Sequence, residues 1–276
     1  MGWHAELRLD YRVEHGRCLA RHRHMGPLRI LQILYPEGDA VCHNVVVHPP
    51  SGLVGGDVLD TAITVGTGAH GLVTTPGATR FYRSDGETAV QRTQIALAPG
   101  ARFEWLPLSA ICSSGCIAEN TLVVRPDADS ELIGWDMCAL GLPASNQPFQ
   151  RGSIRQRIEV PGIWLEQARI DAQDDLLMNG TLGLAGQRCV GTLFFITGTV
   201  LPRVRREAVL EAARGAIGSH ALAPTAGATS PHPQIVIVRA LGPLVEPVFE
   251  LLRRVRAVWR AELWQLPATE PRGWAN

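Results

Sequence analysis

The chain has 276 residues, 46% of them hydrophobic, enough to bury a sizeable core, and its 26 basic and 26 acidic residues cancel. That balance gives no grounds for a polyanionic partner, whether nucleic acid or an anionic membrane surface. Every basic residue is arginine, so chemistry that needs a lysine is excluded: a Walker A loop, a Schiff base, the strand lysine of a kinase.

The start, Met-Gly-Trp-His-Ala-Glu-Leu-Arg, lacks the basic-then-apolar pattern of a signal peptide, and no 18-residue apolar run occurs, so a cytoplasmic location is expected. Residues 5–13 then alternate, with Ala5, Leu7, Leu9, Tyr11 and Val13 on one face and Glu6, Arg8, Asp10 and Arg12 on the other, which predicts a half-buried strand. Short extended segments recur at 61–66, 89–97, 102–106, 121–125, 132–137, 153–160 and 163–170, each bounded by Gly, Pro, Asp or Asn. This pattern predicts a mostly β body, sandwich-like or solenoid-like, over residues 1–190, with no internal repeat.

The period changes in the last third. Val209, Ala212, Ala213, Ala216 and Ile217 form a helical stripe after Pro202, and Val248, Leu251, Leu252, Val255 and Trp259 form a second, with Arg253, Arg254, Arg256 and Arg260 on its other faces. Apolar strands are expected at 191–200 and 234–239, so residues 191–264 read as a late strand-and-helix addition to a single domain spanning 1–276. The Ala, Thr, Pro and Gly of 221–233 predict a surface loop. The aromatic C-terminal segment, on a chain without net charge, predicts an apolar docking surface and self-association when partners are missing.

Two blocks carry the strongest site signal: His48-Pro49-Pro50-Ser51-Gly52-Leu53-Val54-Gly55-Gly56-Asp57 and Thr74-Thr75-Pro76-Gly77-Ala78-Thr79-Arg80-Phe81-Tyr82-Arg83. Both stack Pro and Gly beside polar groups, which fixes turns that display Asp57, Thr79, Arg80 and Tyr82. Arg80 and Tyr82 share one face if this segment is extended. Asp57 follows a Gly-Gly turn, where the plain role is to bond neighbouring backbone. Glu166 sits in Trp164-Leu165-Glu166-Gln167, where a carboxylate among apolar neighbours needs a partner or an ion. For both, a structural and a functional role stay open. His22 and His24 fall on one face of a strand but lack the spacing of a specific metal motif, and Cys112 and Cys116 read as two loop thiols. Most of the six cysteines are expected to be reduced and buried. No nucleophile elbow and no phosphate loop is present.

Together with Tyr35-Pro36-Glu37-Gly38, Cys42-His43, Glu104-Trp105-Leu106-Pro107, Ile133-Gly134-Trp135-Asp136, Gly141-Leu142-Pro143-Ala144-Ser145, Phe149-Gln150-Arg151-Gly152 and Pro271-Arg272-Gly273-Trp274-Ala275-Asn276, these blocks resemble, in order, the UreD/UreH family of urease accessory proteins. The resemblance implies one β-rich domain of stacked, helically arranged sheets with two α-helices near the C-terminus. It implies a non-enzymatic cytoplasmic scaffold that binds apo-urease and a UreF-type helical partner, reaches a UreG-type GTPase through that partner, and helps deliver nickel. It tilts Asp57 and Glu166 towards a transient nickel(II) passage, with Glu37, His48, Thr79, Arg80 and Tyr82 lining it or meeting partners, and no tightly bound cofactor. Oxygen ligands suit such a passage because they release a divalent ion more readily than His or Cys clusters do. Leu108 and Ser109 stand where the family pattern has an amide and a carboxylate, and Ser51 replaces the commoner Gly, a change expected to be tolerated. The alternatives are a β-helix or sandwich hydrolase using Asp57 or Glu166, recognisable by a second carboxylate at a matched turn, and a plain interaction module.

Overall fold

A computed structural model describes residues 2–274. Between residues 41 and 160 the chain alternates between two sheets, laying one strand in each per turn of a coil. The strands Val41–Val47, His70–Thr74, Arg102–Leu106 and Glu131–Leu142 stack in parallel in the larger sheet, and Val58–Val65, Ala89–Leu97, Cys116–Pro126 and Gly152–Val160 stack in parallel in the smaller. The body is therefore solenoid-like. This coil is a repeat of backbone path, not of sequence, and for that reason it left no internal repeat to find. Antiparallel strands finish both sheets: His4–Glu14, which lies parallel to Val58–Val65, with its hairpin partner Arg17–Met25, and Trp164–Asp171, complete the smaller one. Arg29–Leu34 completes the larger sheet at one end, and Cys189–Thr197, Ile235–Gly242 and Ala226–His232 extend it at the other. Short strands at Gly52–Leu53, Thr79–Phe81, Ala110–Cys112 and Gln147–Pro148 attach beside it.

The late strands thus continue the main sheet instead of forming an addition to it, because residues 189–197 pair along nearly the whole of Glu131–Leu142. The expected loop at 221–233 contains the edge strand Ala226–His232, whose Ala, Thr, Ser and Pro satisfy an edge that needs few apolar contacts. Among the described residues three α-helices occur: α1, Asp175–Asn179, a five-residue turn with no sequence signal strong enough to predict it; α2, Arg203–Gly218; and α3, Val245–Trp264. Both predicted stripes are buried, α2 through Val209, Ala213 and Ile217 and α3 through Val248, Leu251, Leu252, Val255 and Trp259.

Two apolar layers result. One fills the space between the sheets, where Ala5, Leu7, Leu9 and Tyr11 point as their alternation predicts, while Val13 is exposed because its strand runs past the core. The other lies between the larger sheet and α2 and α3, and it absorbs Trp259, Trp264 and Trp274. The aromatic C-terminal segment is consequently interior. Trp274 lies tilted against Trp135 (5.1 Å between ring centres) and edge-on to Phe249 (5.3 Å), and its Nε1 donates to Thr74 Oγ1 at 2.9 Å, so the apolar docking surface expected of this segment is buried.

α3 also buries charge. Arg256 and Arg260 are 2% and 0% exposed, and both reach Glu104, itself 0% exposed, at 2.6 and 3.0 Å. Arg260 pairs in addition with Glu37, whose Oε1 accepts from His43 Nε2 at 2.7 Å. Burial raises the cost of the Glu104 charge, but the two guanidiniums and His70 hold its carboxyl well below the usual range. Glu37 is lowered in the same way, its burial outweighed by His43 and Arg260.

Candidate functional site

Among the described residues two cavities lie in the β body, and Asp136 lines both. The first, about 210 Å³, is walled by His48, Thr61, Thr75, Thr79, Gln91, Thr93, Asn120 and Asp136 among apolar neighbours that include Leu108 and Trp135. The second, about 650 Å³, is walled by Asp136, Gln156, Glu166, Arg169, Thr192, Thr225 and Arg239 together with aliphatic side chains. Asp136 stands in the strand Glu131–Leu142, between Trp135, which faces the helical layer, and Met137. Alternation along that strand turns Asp136 towards the smaller sheet, where Asn120 Nδ2 donates to its Oδ2 at 3.0 Å. Burial, and then the charge of Glu166, push the Asp136 carboxyl up to about 6, against the pull of hydrogen bonds from Gln156 and Asn120. Glu166 itself projects from Trp164–Asp171 and is ion-paired with Arg239, so that pair bridges the two sheets across the second cavity.

The predicted residues divide among three places. His48 and Thr79 line the first cavity and Glu166 the second. His48 keeps Nδ1 buried without a hydrogen-bond partner, and burial lowers its pKa, an effect the nearby Asp57 opposes. Arg80 and Tyr82 are exposed on either side of the buried Phe81, on one face as their spacing predicts. The Tyr82 ring lies so close over Gly52 that a Cβ there would fall 2.2 Å from it, so a larger residue in this short strand would displace the ring. Ser51 has φ of 61°, a left-handed conformation costing an L-residue about 1–2 kcal/mol, so the replacement of Gly at this position carries a strain that the sequence reading did not assign it.

Asp57 and Glu37 lie elsewhere. Asp57 lines neither cavity; its Oδ1 accepts from Trp3 N at 2.8 Å and its Oδ2 from Val54 N at 2.9 Å, a clasp between the first strand and the Gly-rich turn. That is the plain backbone-bonding role. Glu37 belongs to the ion network beneath α3. Asp136, the residue that lines both cavities, was not singled out from sequence although its block was; the available signal is a lone carboxylate in the otherwise uncharged run 132–142. Cys112 and Cys116 are buried strand-end residues, not loop thiols, and all six cysteines are buried and free. Among the described residues, no group of three or more His, Cys, Asp or Glu has metal-holding geometry.

The lining offers oxygen ligands of moderate strength and one unsatisfied imidazole nitrogen, a donor set that can hold a hard or borderline divalent cation loosely. Comparison with known proteins gives this geometry its context. A family model described as the UreD urease accessory protein matches residues 4–275. The chain is 62% identical over 276 residues to the urease accessory protein UreD of Variovorax paradoxus (strain S110) and 63% identical over 275 residues to that of Paracidovorax citrulli (strain AAC00-1), each covering 100% of both chains. It is 44% identical over 296 residues to the same-named protein of Methylibium petroleiphilum, with 99% of each chain covered. The match runs from the first strand through the C-terminal tail, across both cavities, and so the chain belongs to the UreD family of urease accessory proteins, maturation factors that are not themselves enzymes.

Proposed function

We propose that this chain is a cytoplasmic scaffold that binds apo-urease and a UreF-type helical partner, is linked through that partner to a UreG-type GTPase, and passes nickel(II) through its interior to urease. The observation that supports this reading is that Asp136 walls both cavities, so that the two lie on either side of one carboxylate between the sheets. Nickel is the cargo. His48 and the threonines of the first cavity would receive it, Asp136 would bridge it to the second, and Glu166 would take it over on exchange with Arg239. Oxygen ligands favour release at each step. Hydrolysis of GTP belongs to the partner, since the chain has neither a lysine nor a phosphate loop.

Asp136 is a second carboxylate near Glu166, but it stands within a strand and not at a matched turn, and membership of a family of non-enzymatic accessory proteins favours cargo handling over the hydrolase alternative. Arg80 and Tyr82, exposed together, are offered to a partner. Asp57 serves the route indirectly, by holding the turn that follows His48.

The test is the nickel content of urease matured with variants, measured alongside co-purification of the accessory complex. Asp136→Ala and Glu166→Ala are expected to lower nickel per urease active site while the complex still assembles. Unchanged nickel content in both variants would reject the route. Asp57→Ala is expected to lower the yield of folded chain first, because it strands two backbone N–H groups.

A further inference from the structure

The two stacked sheets end unevenly after the last coil. Asn120 in the smaller sheet bonds Asp136 in the larger, which sets Cys116–Pro126 opposite Glu131–Leu142. Beyond those facing strands the smaller sheet adds two, Gly152–Val160 and Trp164–Asp171, whereas the larger adds three, ending in Ala226–His232. The larger sheet therefore projects by one strand, and the second cavity lies over that projection. Its lining there includes Gly227, Thr229, Ile237 and Leu241. A Cβ built on Gly227 would meet no atom within 4 Å, so the space above this strand is open.

Among the described residues four strands end the two sheets, and three of them are protected against a further strand. Ala226–His232 carries Pro231 and a register shift between Thr229 and His232, Arg29–Leu34 is shifted between Ile30 and Gln32, and Arg17–Met25 exposes Arg17, Arg21 and Arg23. Trp164–Asp171 has none of these devices. It contains no Pro or Gly, pairs over all eight residues without a shift, and has its Glu166 and Arg169 neutralised by Arg239 and Asp171. Ala172 N donates to Gly152 O at 3.0 Å, and alternation from that bond turns the backbone N–H and C=O groups of Leu165, Gln167 and Arg169 away from the neighbouring strand. Leu165 adds an exposed apolar side chain to this edge.

We infer that this edge takes up one extended segment of another polypeptide, apolar at every second residue, as an eighth strand of the seven-stranded smaller sheet. Main-chain hydrogen bonds to Leu165, Gln167 and Arg169 hold the segment, and its apolar side chains cover Ile237 and Leu241 beside Gly227. Glu166 and Arg239 already satisfy each other, so apolar side chains and not charged ones gain by entering. A second copy of the chain does not fit. Its larger sheet would project in the same way, so two copies meeting edge to edge would collide before these strands came within the pairing distance of about 4.8 Å. The inference goes beyond the interior route and stands without it, since strand addition is measurable with no metal and no urease present.

Labelled peptides matching the eight-residue strand in length, with Val, Leu or Ile at alternate positions, test it by fluorescence anisotropy and amide hydrogen exchange on the full chain. At least one of them is expected to bind and to slow exchange at Leu165, Gln167 and Arg169, while peptides with Ser at the alternate positions do not. Gln167→Pro removes an N–H that the free chain leaves unpaired, and Gly227→Leu fills the open space; each is expected to weaken binding at least about tenfold. Far-UV circular dichroism and thermal unfolding check that both variants fold, and either one alone suffices for the test. Failure of every peptide to bind, binding that survives a folded variant, or protection confined to another edge would overturn the proposal. So would a concentration-dependent dimer that Gln167→Pro abolishes, which would make a second copy the occupant.

Discussion

At the scale of single residues, Asp136 shows what burying a carboxylate costs. Its carboxyl is pushed from the ordinary aspartate range up to about 6, first by burial and then by Glu166, so the folded chain binds this proton more tightly than the unfolded chain does. The linkage sign follows: the contribution of Asp136 to stability is greatest below about pH 4 and is lost as pH rises through about 6. Asp136→Asn keeps the shape and the hydrogen bond to Asn120 while removing that penalty. It is expected to stabilise the chain at pH 7.5 by on the order of 1–2 kcal/mol, after allowance for the water that the cavity admits, and to flatten the pH dependence between 4 and 6. Chemical denaturation across that range checks this, and a variant less stable than the parent at pH 7.5 would show that the carboxylate has a stabilising partner.

At the scale of elements, α3 is held by two unlike forces. Its apolar stripe packs on the larger sheet, and its Arg256 and Arg260 enter the same interior to meet Glu104 and Glu37. The apolar stripe was legible in the sequence because burial of Val248, Leu251, Leu252, Val255 and Trp259 follows helical spacing. The ion network was not, because its carboxylates lie more than 150 residues away along the chain, at |i−j| of 152 and 156 for Glu104. Removing one member of a buried charge set leaves the others uncompensated, which typically costs about 3–5 kcal/mol. Glu104→Gln is therefore expected to lower stability by about that amount and to speed amide exchange selectively over 245–264. A loss below about 1 kcal/mol would mean that water already solvates the two guanidiniums.

At the scale of the whole molecule, a coil of parallel strands places nearly every pairing between residues about 30 positions apart, as between Val58–Val65 and Ala89–Leu97. Loop closure must precede each reward, so refolding from denaturant is expected in the millisecond-to-second range or slower, well behind helical proteins of similar length, and stopped-flow fluorescence of the buried tryptophans can follow it. A sub-millisecond refolding phase carrying the full amplitude would contradict the topology.

What the sequence by itself determined is what local pattern controls. Alternation placed strands such as His4–Glu14, Ala89–Leu97 and Arg102–Leu106; helical spacing placed α2 and α3; and the ordered Pro- and Gly-rich blocks pointed to the family, because those residues fix backbone conformation at defined places. The tertiary structure alone decided which polar residues meet. His48, Asp136 and Glu166 come from three strands or their ends separated by 88 and 30 residues, and only the coil brings them to the walls of two cavities that share Asp136. The same coil turned Asp57 into a backbone clasp, drew Glu37 under α3 and carried the C-terminal tryptophans inward. A residue's type and spacing define the chemistry it can offer, but whether that chemistry faces a cavity, an ion pair or solvent is set by strands distant in sequence that close around it.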